Sequence, residues 1–357
     1  MSKKIRMGVI GCGGISVTHI RGIMASPDME IGALCDILPE KLEEKMAMSG
    51  ATKDMCYENY VEMMESGKID AISICTPNNM HYQMAMDAVK RGIPYAVEKP
   101  VCMTEAEAVS LAEATKKKNL ANMVCFSYRF KAAARYARDL IVSGELGKIY
   151  HIKGEYFQAW GLPGARDGAT TPLVWRFRKE ITGTGVLGDL GCHLLDLCRF
   201  VTGREFVSLS ADMDTFIHTR NLPGSDVEGD VDVDDYYNIV GRMEDHIAAN
   251  VSVTRFAYGR GNYQLLDVYG DKGALRYTLE DTDTLEVNIG NSPMRTAHIW
   301  TPVPTPPKYT VSQMQCFADI VNGKGDGLAA DVYDGLAVQR VLDHSVLAAE
   351  KGMRISL

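Results

Sequence analysis

The chain contains no apolar run near the roughly 18 residues of a membrane-spanning helix, so no membrane partner is expected. Its first residues, Met1-Ser2-Lys3-Lys4, pass straight into a strand-like run without the apolar core of a secretory leader, which makes the cytoplasm the expected location. Basic tracts are missing too. Beyond Lys116-Lys117-Lys118 the cations are scattered, and a formal charge of −8 excludes nucleic acid as the main partner. None of the nine cysteines forms a Cys-x-x-Cys pair, and several lie in apolar runs; they read as buried free thiols of a reducing compartment. Internal repeats and low-complexity tracts are lacking as well. What is there is 357 residues, 46% hydrophobic, enough for two domains with real cores.

The first domain is expected over residues 1–126. Ile5 to Ile10 reads as a buried strand, Gly11-Cys12-Gly13-Gly14-Ile15-Ser16 as a turn, and the stretch to about Ser26 as a helix. In this Gly-x-Gly-x-x-Ser variant of a dinucleotide turn, Gly11 permits the tight bend and Gly13 lets backbone N–H groups approach a pyrophosphate. Ser16 is small enough for the helix to pack closely on the strand. The next strand, Ile31 to Cys35, ends in Asp36, where a carboxylate accepts hydrogen bonds from ribose hydroxyls and repels a 2′-phosphate; NAD is expected over NADP. The structural alternative makes Asp36 a cap for the helix starting near Pro39.

Helix and strand then alternate to Phe126, with Thr104-Glu105-Ala106-Glu107 as a capping box, which predicts a doubly wound parallel sheet. Ligands of such sheets bind at the carboxyl edge of the strands. Two strands end there in Thr76-Pro77-Asn78 and Glu98-Lys99-Pro100. His81, in the first turn of the following helix, is either a packing histidine or a contact to the nicotinamide side of the cofactor.

Residues 127–357 form the second domain, expected to bind substrate and to oligomerise. After a helix to about Ser143, strand candidates follow one another: Ile149 to Ala159, Phe206 to Phe216, Tyr236 to Arg242, Ala248 to Arg255, Tyr263 to Tyr269, Ala274 to Leu279 and Leu285 to Ile289. Asp271-Lys272-Gly273 reads as a hairpin turn. Helices return near Val311 to Asn322 and Asp331 to Glu350, giving an α+β domain with a large, mostly antiparallel open sheet. A wide sheet of this kind suits a homo-oligomer, a dimer or tetramer. Trp160 to Pro172 reads as a loop over the cleft. Gly224 to Asp235 carries six carboxylates without the spacing of a helix-flanked calcium loop, and reads as a solvated acidic loop.

Chemistry concentrates in Gly183 to Asp196. Leu187, Leu190, Leu194, Leu197 and Val201 form a helical apolar stripe, while Asp189, His193 and Asp196 fall at i, i+4 and i+7 on one face. Three accounts fit that pattern: a helix-stabilising charge series, a metal site, or a catalytic acid/base pair. No further histidine or cysteine lies nearby at ligand spacing, and hydride transfer needs no metal. A histidine that titrates near neutrality suits removal of a hydroxyl proton as hydride leaves carbon. Asp189 would orient the imidazole, and Lys99 would bond the reacting oxygen and stabilise alkoxide character.

Taken together, Gly11 to Ser16, Thr76-Pro77-Asn78 with His81, Glu98-Lys99-Pro100, the order Asp-x-Gly-x-His-x-x-Asp in Asp189 to Asp196, and Val268 to Leu275 resemble the Gfo/Idh/MocA oxidoreductases over essentially the whole chain. The resemblance implies a two-domain NAD(P)-dependent enzyme acting on sugars or cyclitols, with Lys99, Asp189 and His193 in the positions of the catalytic trio. It implies cofactor contacts from Gly11, Gly13, Gly14, Ile15, Ser16, Asp36, Thr76, Pro77, Asn78, His81, Glu98, Lys99, Trp175 and Arg176. Tyr128, Gln158, Trp160 and Arg176 would line the substrate pocket with the trio.

Within the family, Tyr156-x-Gln158-x-Trp160, Pro172-Leu173-x-Trp175-Arg176-Phe177 and Gly183-x-Gly185 are similar to the branch of levoglucosan dehydrogenase and glycoside 3-oxidases. That branch implies oxidation of the C3 hydroxyl of a pyranose. Inositol (cyclitol) 2-dehydrogenases share the trio and are the nearest alternative; an NAD-retaining glycosidase that oxidises, eliminates and re-reduces is another. Ser16 stands where relatives carry a third glycine, and Ser127 where they often carry Asn before Tyr128-Arg129.

Overall fold

The computed structural model describes residues 3–165, 168–290 and 299–357. Two compact units emerge: the chain up to Phe126 together with Val311–Leu336, and Ser127–Thr310 together with Ala337–Leu357. The first cut falls where the change of composition lies. The expected second domain, however, gives up 311–336 to the first. Hydrogen bonds explain the return: the Val124 N–H donates to the Ala330 carbonyl at 2.9 Å, and the Val332 N–H to Asn122 Oδ1 at 2.8 Å.

In the first unit six strands, β1 (Ile5–Ile10), β2 (Met29–Cys35), β3 (Cys56–Tyr57), β4 (Ala71–Ile74), β5 (Tyr95–Val97) and β6 (Asn122–Val124), pair in the order 3-2-1-4-5-6, every pair parallel. Helices α1 (Ser16–Ala25), α2 (Pro39–Ser49), α3 (Tyr60–Glu65), α4 (His81–Arg91) and α5 (Glu105–Lys117) connect them. Every residue of β4 and β5 is buried, as a parallel sheet covered on both faces requires. The predicted capping box is present at α5 in a shifted form: Thr104 Oγ1 accepts from the Glu107 N–H, while Glu107 Oε2 reaches back to the Met103 N–H and not to that of Thr104.

The second unit is built on α6 (Ala132–Val142), β7 (Ile149–Phe157), α7 (Lys179–Thr182), α8 (Cys192–Thr202), β8 (Phe206–Asp214), β9 (Thr219–Asn221), β10 (Glu228–Asp230), β11 (Tyr236–Met243), β12 (Ala248–Thr254), β13 (Tyr263–Gly270), β14 (Gly273–Leu279), β15 (Asp283–Ile289) and β16 (Thr301–Pro302). Late in the chain come α9 (Gln313–Val321), which belongs to the first unit, α10 (Val332–Lys351) and β17 (Ile355–Ser356). Nine strands form one sheet in the order 16-15-14-13-7-12-11-8-17, antiparallel except where β12 runs parallel to β7. Along β11 and β12 burial alternates, the mark of a sheet with one face on the core.

The expected solvated loop at 224–235 holds only in part. Asp226, Glu228, Asp230 and Asp232 are exposed, whereas Asp234 and Asp235 are buried. Buried carboxylates need donors. Asp235 takes them from Arg255 Nε at 2.6 Å and from the Phe216 and Ile217 N–H groups. Asp234 takes them from the Gly185 and Leu187 N–H groups at 2.6 and 2.8 Å.

Core packing centres on α8, every residue of which is buried. A helix hidden on all sides cannot leave charge unanswered. Asp196 meets Arg129 in a bidentate pair (Nε to Oδ2 2.8 Å, Nη2 to Oδ1 2.6 Å), and Arg199 forks onto Glu205. Removing Arg129 while leaving Asp196 in place takes the bidentate partner from a buried carboxylate that Arg199 Nη1 approaches only to 3.8 Å. Arg129→Met should therefore lose about 3–5 kcal/mol of unfolding free energy in urea; a loss under about 1 kcal/mol would mean the pair is solvated in solution.

Candidate functional site

The first unit gathers its predicted residues at the carboxyl edge of the parallel sheet. The strand order makes β1 and β4 the switch point, and the Gly11–Ser16 turn leaves β1 there. Gly11 has φ +85, and a Cβ on it would stand 2.7 Å from the Cys75 carbonyl oxygen, so both the bend and the close passage of two strand ends require glycine. A Cβ at Gly13 or Gly14 would meet nothing within 4 Å. Ser16 is buried and donates its hydroxyl to the Gly13 carbonyl at 2.6 Å, which makes it a packing and turn-closing residue, while Ile15 is exposed. Asp36 accepts from the Cys12 N–H at 2.6 Å and from the Leu38 N–H at 2.9 Å. It thus closes a turn just before α2, whose N-cap position Leu38 has no side-chain cap, and braces the glycine turn from the position expected of a ribose acceptor. An open glycine backbone with an acid at the end of β2 fits a dinucleotide with an unphosphorylated ribose.

Two predicted cofactor contacts face elsewhere. His81 has no exposed surface, and its ring nitrogens lie 2.8 Å from the Pro100 carbonyl oxygen and 2.9 Å from that of Thr76. It lies between the Thr76 corner and the Lys99–Pro100 corner, in the packing role that is the alternative reading. Burial pulls its pKa down, against the two carbonyls. Glu98 points inward: Oε1 meets His19 Nε2 at 2.9 Å and Oε2 accepts the Lys99 N–H at 3.3 Å. Thr76 and Pro77 are half-buried, Asn78 is buried, and Lys99 is half-buried at the end of β5.

The second unit brings another predicted group together. A wide π-turn, Leu187–Gly191, leads into α8 and carries Asp189. Its entry is fixed by the Asp234 carboxylate described above, and a Cβ at Gly185 would sit 1.9 Å from the Asp234 carbonyl oxygen, which accounts for that glycine. Such turns displace one residue from the helical register and are common at functional sites. Asp189 keeps a quarter of its side chain exposed, with Oδ2 3.7 Å from Arg176 Nε; the Arg176 guanidinium lies over the Trp175 ring at 4.3 Å.

His193 is 8% exposed and meets the edge of Tyr128, ring centroids 4.8 Å apart. The Tyr128 hydroxyl is 2.6 Å from that of Tyr156. Asn262 Oδ1 accepts from Tyr156 at 2.7 Å, Tyr128 at 3.1 Å and Gln158 Nε2 at 3.0 Å. Burial, then neighbouring Tyr128, pushes the Tyr156 phenol far up, so it stays a neutral donor. Trp160 is packed rather than lid-like: its ring lies 5.5 Å from Phe177 and under the Arg255 guanidinium, and Arg220 pins the loop by bonding the Gly161 and Thr171 carbonyls.

Sequence reasoning missed Asn262 and His19. Asn262 precedes β13, whose register sets Tyr263 against Phe157 and Gln264 against Tyr156, so only strand pairing brings it to Gln158. His19 carried a visible signal, a polar residue on the stripe Ser16, His19, Ile20, Ile23 that α1 buries.

Comparison with known proteins identifies the family and the fold. A family model described as the oxidoreductase family NAD-binding Rossmann fold matches residues 5–126, and a GFO/IDH/MocA C-terminal domain matches 134–276. The chain is 30% identical over 308 residues to levoglucosan dehydrogenase of Pseudarthrobacter phenanthrenivorans, covering 80% of this chain and 76% of that one. It is 27% identical over 371 residues to D-glucoside 3-dehydrogenase of Escherichia coli, covering 100% and 98%. A solved levoglucosan dehydrogenase in complex with NADH and levoglucosan superposes with a TM-score of 0.89 at 27% identity, over 99% of both chains.

Two outcomes follow from the first unit. Gly11→Ala forces a strained φ and a clash with the β4 end, so a fluorescence titration should show NAD binding weakened by about tenfold or more, roughly the effect of 1.4 kcal/mol; unchanged affinity would remove the turn from the binding seat. For His19, burial opposes the charge, but Cys75 and Glu98 outweigh it and the pKa is pushed up from 6.5 to about 10. A raised pKa stabilises the fold fully below the unfolded value and loses that contribution as pH rises through the folded one. The melting temperature of the wild type should therefore lead that of His19→Gln below pH 6.5, and the lead should close as pH passes about 10.

Proposed function

The chain belongs to the Gfo/Idh/MocA family of NAD-binding oxidoreductases, and from that premise we propose that it oxidises a secondary hydroxyl, the C3 hydroxyl of a pyranose sugar or glycoside, to a ketone. The observation that carries the reading is the hydroxyl and amide network of Tyr128, Tyr156, Gln158 and Asn262 beside His193. Alternating donors and acceptors next to a histidine suit a polyhydroxylated ring, which needs several oriented hydrogen bonds and one proton acceptor. Relatives named for levoglucosan and for D-glucoside 3-oxidation support the pyranose class.

Bound NAD supplies the hydride acceptor. His193 takes the hydroxyl proton, its ring held in place by the edge of Tyr128. Lys99 donates a hydrogen bond to the same oxygen and favours its alkoxide character. Asp189, whose Oδ2 lies 3.7 Å from Arg176 Nε, orients the imidazole or binds a neighbouring hydroxyl. Gln158 orients a further hydroxyl, and Trp160 offers the open part of its ring to the sugar face.

The decisive assay mixes protein and NAD with glucosides, anhydrosugars and inositols, following reduced nicotinamide while measuring aglycone release. Sustained NADH with a pyranose is the expected result. Turnover confined to inositols would replace the sugar by a cyclitol, and aglycone release without NADH would make the enzyme an NAD-retaining glycosidase. With the substrate in hand, Lys99→Met and His193→Asn should each lower kcat/KM by about a hundredfold to ten-thousandfold; either variant within about twofold of wild type would remove that residue from the chemistry.

A further inference from the structure

A buried polar cluster of the first unit lies behind the carboxyl edge of the sheet. His19, on α1, is 2% exposed and uses both ring nitrogens: Nδ1 is 2.7 Å from Ser73 Oγ and Nε2 is 2.9 Å from Glu98 Oε1. Ser73 lies inside β4, Glu98 directly follows β5, and α1 opens from the glycine turn. One imidazole therefore joins the three elements whose ends make up the dinucleotide edge. Glu98 carries the link forward, because its second oxygen accepts the N–H of Lys99.

The groups facing the imidazole are few. Cys75 Sγ lies 3.7 Å from Ser73 Oγ, and Cys125, just after β6, completes a set with His19 and Glu98 whose potential ligand atoms lie within 4.8 Å of one another. Both nitrogens of a doubly protonated ring find acceptors here, and burial of the carboxylate is matched by the cation against it, with its pKa pushed up to about 10. A neutral apolar residue would fill the volume but take the imidazolium away from the buried Glu98 carboxylate, whose other oxygen accepts the Lys99 N–H.

We propose that His19 is a positioning residue for the oxidation: through Glu98 it locks the backbone of Lys99 to the helix that opens from the glycine turn, so that the lysine and the cofactor seat move as one body. This rests on the role given to Lys99 above. Neither His19 nor Glu98 touches substrate in this arrangement; they act through Lys99.

The experiment measures kcat, KM and the NAD dissociation constant for the full chain carrying His19→Leu, Glu98→Gln or both, with Lys99→Met alongside. His19→Leu should lower kcat by roughly a hundredfold, the scale of a reacting group displaced by about 1 Å. Its NAD dissociation constant should stay within about threefold of wild type. The double variant should recover about tenfold of the lost kcat, because the glutamine no longer carries the stranded charge and still accepts the Lys99 N–H. Should His19→Leu not fold, His19→Gln, whose amide keeps one donor toward Glu98, carries the same comparison with a smaller loss. A kcat unchanged in the His19 variants while Lys99→Met is inactive overturns the positioning role and leaves Lys99 as assigned. An active Lys99→Met overturns both, and NAD affinity falling in step with kcat would make His19 a general support of the fold.

Discussion

A helix buried on every side must have its polar residues answered from within, and much of the second unit follows from that demand on α8. The cost of leaving a carboxylate or guanidinium unpaired in such a place is several kcal/mol, comparable to a large part of a domain's net stability. Arg129 and Glu205 meet the two charges of the helix, and the π-turn that starts it is held by the buried Asp234. The short 3-10 segment Ser127–Phe130 serves two ends at once: Arg129 grips Asp196, and its neighbour Tyr128 lays its edge on His193. Holding the helix and aiming the histidine are thus one packing solution.

The first unit applies the same economy at strand ends. Asp36 braces the glycine turn through Cys12 while closing a turn just before α2, and His81 staples two corners through their carbonyls. Where several loops converge on one ligand edge, rigidity has to come from the residues just behind it. Eight of the nine cysteines are buried, Cys12 and Cys35 with thiols pushed up to about 12 chiefly by burial, and all nine are free. Cys12 and Cys35 fill space behind the glycine turn as neutral thiols.

The sequence made local patterns legible and left long-range ones hidden. Gly11 with Asp36, the ends of β4 and β5, the seven long strands of the large sheet and the capping box at α5 all follow from periodicity and turn chemistry, which are read over a dozen residues. Asn262 joins Gln158 only because β13 pairs with β7, and Asp234 reaches Gly185 across 49 positions of chain. The acidic run looked uniform because charge alone does not tell which carboxylates have backbone donors waiting. At the same edge the side chains of His81 and Glu98 turn to the layer behind, which the sequence pattern does not show, since a polar residue beside a binding motif can face either way. The parallel β7–β12 pair inside an otherwise antiparallel sheet has no local signature at all.

The return of residues 311–336 to the first unit sets the order in which the chain can mature. The side of β6 that bonds Ala330 and Val332 is completed only by residues made about two hundred positions later, and the end of α1, where Gly22 lies against Met314 and the capping Ser26 bonds Gln315, by residues made nearly three hundred later. During synthesis the glycine turn therefore emerges first but gains its full support near the end, after every strand of the large sheet except β17 has been made. A fragment cut after Phe126 would carry the entire dinucleotide fingerprint and yet expose an unfinished sheet edge and an apolar helix face. For this fold, the boundary that is visible along the sequence is a poor place to divide the gene.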